Sequence, residues 1–221
     1  INAVSSPTNP STTFTVRSVT DTTTAMTLGT VVSSSIASIG QNNKYTFTLA
    51  TPTRLWFDSR TNNGDLNWIM TGPTGIVATP LVGAGATPFN YDDQYLGLLP
   101  AGSYTVMVAG AGSSTVAYAF NLLNLASATT FSAGTSASAT GSTQSGVLNP
   151  ANGATLYKFT GTAGDSLWFD NVTVSPGTNA SWQLIDAYGV VVFTDYLGAD
   201  RTSVALGTTG TYTLALFGAV S

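Results

Sequence analysis

Residues 44–58 run Lys-Tyr-Thr-Phe-Thr-Leu-Ala-Thr-Pro-Thr-Arg-Leu-Trp-Phe-Asp, and their pattern decides the fold. Tyr45, Phe47 and Leu49 alternate with Thr46 and Thr48, the two-residue period of a strand with one buried face. After the Pro52 break, Trp56 stands between Leu55 and Phe57 and so points to the opposite face from both. The same alternation governs Tyr104, Val106 and Val108, and again Tyr118, Phe120 and Leu122. Short β-branched or aromatic runs are punctuated by Gly, Pro, Asn and Asp. No stretch combines helix-forming residues with apolar spacing at three and four. The expectation is an all-β chain.

The deciding stretch occurs twice. Leu55-Trp56-Phe57-Asp58 returns as Leu167-Trp168-Phe169-Asp170, and Tyr45-Thr46-Phe47 as Tyr157-Lys158-Phe159. Trp68 and Trp182 each precede a turn, Gly72-Pro73-Thr74-Gly75 and Asp186-Ala187-Tyr188-Gly189. Gly102-Ser103-Tyr104-Thr105-Val106 returns as Gly210-Thr211-Tyr212-Thr213-Leu214. The order is kept at a period of roughly 110 residues, too long for a solenoid unit and suited to tandem domains. This predicts two tandem jelly-roll-like β-sandwich domains, 20–125 and 126–221. The repeats are offset from the chain. The first closes with a strand at 116–123 that has no counterpart in the second, which is expected to lack its last strand. Residues 1–19 carry a strand-like segment in which Phe14 and Val16 match Phe120 and Leu122. A sandwich edge without its strand is a template for another. Phe14, Val16 and Val19 are therefore the candidate assembly strand, donated to the next copy in a head-to-tail homopolymer; folding back onto the same chain, or supply by neighbouring repeats of a longer chain, are the other closures.

Composition narrows the function. The chain has 221 residues, 43% hydrophobic and 7% charged, with a net charge of −4. Ordinary soluble domains are about 25% charged. The basic residues Arg17, Lys44, Arg54, Arg60, Lys158 and Arg201 are scattered, which disfavours nucleic acid and anionic membranes as partners. No apolar run approaches spanning length, so no membrane insertion is expected. Cys and His are both absent and every acidic residue is Asp. That removes thiolate and imidazole zinc sites, Cys nucleophiles and His-based triads. With no base placed to activate a serine, the chain reads as not an enzyme. Its richness in Ser, Thr and Gly suits a secreted or cell-surface protein.

Tyr45-Thr46-Phe47, the Trp56-Phe57-Asp58 strand, the Gly72–Gly75 turn, Leu98-Leu99-Pro100-Ala101-Gly102-Ser103-Tyr104 and Tyr118-Ala119-Phe120, with their counterparts in the second repeat, together resemble bacterial pre-peptidase C-terminal domains. The resemblance implies a jelly-roll-like sandwich, secretion, and a non-catalytic role in surface proteins, some of which bind calcium, collagen or polysaccharide. The scarcity of acidic ligands here departs from the calcium-binding pattern.

No cofactor is certain from the residue inventory, and calcium is the candidate. It takes six to eight oxygens, and the candidate ligands are Asp58, Asn62 and Asp65 around Gly64, and Asp92 with Asp93. The competing reading is turn chemistry, in which such side chains bond to local backbone. Phe89, Tyr91 and Tyr95, beside Asp92 and Asp93, form the candidate ligand patch, with polysaccharide the ligand class. Trp56, Trp68, Trp168 and Trp182 hold equivalent places in the repeats, which favours packing over sugar stacking. The functional expectation is a fibre or surface-array subunit joined by strand donation; the alternative is an adhesin-type polysaccharide- or protein-binding module of a larger secreted protein.

Overall fold

The computed structural model describes residues 12–77, 87–89, 94–110, 115–133, 142–174 and 180–218. Among them there is no α-helix, and no helix long and apolar enough to cross a membrane. The chain is all-β, with its sheets packed as sandwiches.

In the first sandwich, one sheet runs in the order β1 (Thr22–Ala25), β3 (Asn42–Leu49), β9 (Gly102–Gly110), β5 (Leu66–Gly72), β6 (Gly75–Ile76), with β7 (Thr87–Pro88) also on β5. The facing sheet runs β2 (Val32–Ser35), β10 (Ala117–Asn124), β4 (Thr53–Ser59), β8 (Gln94–Leu99). The alternation read from residues 45–49 holds: Tyr45, Phe47 and Leu49 are buried, and the residues between them face outward. Aromatic rings of the two sheets meet across the core, Tyr45 edge-on to Phe120 and Phe57 stacked on Trp68, while Phe120 stacks on Phe57 within its own sheet.

The second sandwich repeats the first sheet as β11 (Thr129–Thr130), β12 (Ala154–Gly161), β17 (Gly210–Gly218), β14 (Ala180–Ile185), β15 (Val191–Tyr196). Its facing sheet holds just β13 (Ser166–Phe169) and β16 (Arg201–Ala205) among the described residues. Phe159, Trp182, Leu184, Phe193, Val204, Leu206, Tyr212 and Leu214 form its core.

Two recurring motifs have a common mechanical role. The Tyr104 hydroxyl donates to the Pro100 carbonyl at 2.7 Å, and the Tyr212 hydroxyl to the Thr208 carbonyl at 2.7 Å. Each ties the start of a central strand to the preceding corner, as in sandwich tyrosine corners. The glycine two residues earlier, Gly102 or Gly210, has φ of 144° or 150°. A Cβ there would collide with Pro73 or with Ala187. The turn and the Gly-Ser/Thr-Tyr motif recur together because one packs on the other.

Inside the first sandwich lies a buried polar cluster. Tyr118 Oη is 2.6 Å from Tyr45 Oη and accepts from Asn43 Nδ2 at 2.7 Å. Burial, reinforced by Tyr45, pushes the Tyr118 hydroxyl above the ordinary phenol value of 10.0. Its contribution to stability is therefore complete below that value and is lost as the pH rises towards the folded one. Tyr118→Phe should cost about 1–3 kcal/mol in urea unfolding, because it leaves buried partners unpaired. It should also remove part of the alkaline loss of stability expected of the parent chain.

Candidate functional site: the junction and the open edge

The outer faces of two sheets meet where the sandwiches join. Trp56, on the outward side of β4, is 1% exposed, and its ring centroid is 5.1 Å from that of Phe217. Leu125 and Ala128 from the connection, and Leu156, Ile185 and Ala215 from the second sandwich, complete this apolar cluster. The alternation explains the surfaces used: Tyr157 and Phe159 face the second core while Leu156 faces the junction, and Leu214 faces that core while Ala215 and Phe217 turn to Trp56.

A polar rim surrounds the cluster. Asp58 accepts from the Ala154 N–H at 3.1 Å and pairs with Arg60 Nη1 at 3.1 Å. Arg60 Nη2 donates to the Asn149 carbonyl, and Asn152 Nδ2 to the Ser59 carbonyl at 2.9 Å. Burial pushes the Asp58 carboxyl above its ordinary value of 3.8, with Arg60 and the Ala154 N–H opposing that shift. Arg54 and Tyr95 lie against Gly189 of the second sandwich, where a Cβ would strike both. A groove of about 370 Å³ runs along the junction between Leu123 and Leu156, and none of its lining side chains is ionisable.

The second feature is an edge. β4 is paired on both sides, by β10 and β8. Its counterpart β13 is paired by β16, and no described strand lies along its other side. Trp168, the counterpart of Trp56, is 66% exposed.

Several sequence expectations need correction. Asp58 does not join Asn62 and Asp65 around a cation; it is buried at the junction, committed to Arg60 and Ala154. Asp65 belongs to an Asx turn, its N–H donating to Asn63 Oδ1 at 2.8 Å, and Asn62 is exposed. Among the described residues no three acidic side chains cluster where they could hold a metal ion. Phe89 is not at a surface patch: it is fully buried against Phe57, Tyr118 and Phe120, held by its N–H to the Leu66 carbonyl at 2.9 Å. Tyr95 is half-buried at the junction, and burial raises its hydroxyl pKa against the pull of Arg54. Tyr91, Asp92 and Asp93 lie outside the described residues. Phe14 and Val16 are 86% and 85% exposed in a segment that forms no strand in this chain, while Val19 packs near Gly40. Sequence reasoning missed Arg60, Asn149 and Asn152. The one available signal was Arg60 two residues from Asp58, the spacing that puts two side chains on one side of an extended chain.

No family model matches the chain, and no curated protein matches it.

Proposed function

We propose that this chain is a non-catalytic extracellular structural protein, a fibre or surface-array subunit. In this reading its two jelly-roll-like modules, of pre-peptidase C-terminal type, are joined head to tail by donation of residues 12–19 to the second sandwich of another copy. The observation that carries this is the contrast between β4, paired on both sides, and β13, paired on one among the described residues. The exposure of Phe14 and Val16 supports it. Each could gain about 1.5–3 kcal/mol on full burial, in addition to new ladder hydrogen bonds. Such a contact is heterologous and generates an open fibre where the rotation does not close. The junction supports the non-catalytic part: its buried carboxylate is engaged in holding two sandwiches together.

The test is electron microscopy and sedimentation of the parent chain and of a variant lacking residues 12–19. Polymers are expected from the parent and monomers from the deletion. A parent that stays monomeric at all concentrations, or a deletion that still polymerises, overturns the reading. The second reading, a polysaccharide-binding module, is favoured by the exposed rings of Trp168, Tyr188 and Tyr196; it predicts a monomer retained on a polysaccharide column.

A further inference from the structure

The contact between the two sandwiches has both of its faces a second time in the same chain, and among the described residues no second sheet is packed on either. Matching Trp168 to Trp56 places the outer side of β13 in the role of the outer side of β4. Matching Tyr104 to Tyr212 places Met107 and Ala109 of β9 where Ala215 and Phe217 stand in β17. Met107 and Ala109 face away from the core, since Val106 and Val108 between and before them are fully buried.

The connections match to within one residue. Within the chain, β10 pairs with β4 and then leads directly into β11, which runs parallel to β12. Residues 12–19 likewise lead into β1, parallel to β3. Thr129 lies opposite Tyr157 and Thr24 opposite Tyr45, so these two threonines are equivalent. Phe120 precedes Thr129 by nine residues and Phe14 precedes Thr24 by ten. A donated strand in the register of β10 would place Val16 opposite Phe169 and Arg17 opposite Trp168, as Leu122 and Leu123 lie opposite Phe57 and Trp56.

We infer that the contact between copies repeats the contact within the chain: the first sandwich of one copy stacks its β9 face on the Trp168 face of the preceding copy's second sandwich. This rests on the strand-donation reading and adds the surface that accompanies the strand. Ala109 covers Trp168 as Phe217 covers Trp56. Lys44, which pairs with Asp21 at 3.1 Å within the chain, stands where Leu156 does, and in the stack would turn its ammonium towards the Trp168 ring, an arrangement an aromatic face accepts. The smaller Ala109 and the charged Lys44 make this the weaker of the two contacts. The consequence is a pseudo-repeat of one sandwich along the polymer, with the step between copies equal to the step within a copy.

Two variants test the stacking apart from the strand, since neither alters residues 12–19 or the β13 backbone. Ala109→Arg is expected to raise the concentration needed for polymerisation at least tenfold while circular dichroism of the monomer stays unchanged. The chain has no cysteine of its own, so Ala109→Cys combined with Trp168→Cys should yield a ladder of disulfide-linked multimers under oxidation. Thr48→Cys with Trp168→Cys should not. Polymers of unchanged yield from Ala109→Arg, or an Ala109/Trp168 pair that gives no ladder, overturn the stacking. If deleting residues 12–19 still abolishes polymers, strand donation stands without it.

Discussion

Trp56→Ala is expected to destabilise the chain by about 3–5 kcal/mol, the range for removing a buried tryptophan. The loss should fall on the coupling between sandwiches. Trp56 is outside the first core and forms the centre of the junction cluster with Phe217, Leu125 and Leu156. Scanning calorimetry should therefore change from one cooperative transition to two, the lower one belonging to whichever sandwich depended more on the contact. Trp168→Ala, at the matching position, should shift the melting of the dilute monomer very little, because that ring is already mostly in water. Equal costs at both positions would mean that the junction does not couple the two halves.

The pair Trp56 and Trp168 marks how far the sequence could be read. Alternation is local, so the strand, the outward direction of each Trp and the inward burial of Phe57 were all legible from a few residues. What covers an outward face is not local. It depends on the second sandwich arriving from a hundred residues away, and the motif around both tryptophans is the same. Phe89 misled for a related reason: its Gly- and Asp-rich neighbourhood reads as loop, yet the backbone folds back to β5 and drops the ring into the core. Asp58 carried the composition of a cation ligand, and the partner that claims it, the Ala154 N–H, has no side chain by which a sequence could announce it. The repeat offset was read from the order of the motifs, which is a property of the sequence alone.

Arg60→Ala should be the costliest change among the polar residues, about 3–5 kcal/mol near neutral pH, since it strands a buried carboxylate. The sign with pH follows from Asp58. Burial holds its folded pKa above the ordinary 3.8, so protonation favours the folded state. Its contribution is complete below the ordinary value and is lost as the pH rises through the folded one. Without Arg60 that penalty on the charged form grows. The deficit of Arg60→Ala should therefore be largest near neutrality and shrink on acidification into the carboxyl range. Adding Asp58→Asn should recover much of it at neutral pH. Urea unfolding of the single and double variants across pH provides the check. A deficit independent of pH would mean that Arg60 acts through the Asn149 carbonyl rather than through Asp58.

Between β10 and β11 stands a single short turn, Leu125–Ser127, whose Leu125 is buried and whose end is capped by the Ala128 N–H to the Leu125 carbonyl at 3.2 Å. A flexible tether behaves as a coil whose span grows with the square root of its length; here there is no slack to behave in that way. A joint with so little slack is expected to hold the two halves at a fixed angle, a stiffness that small-angle scattering would register.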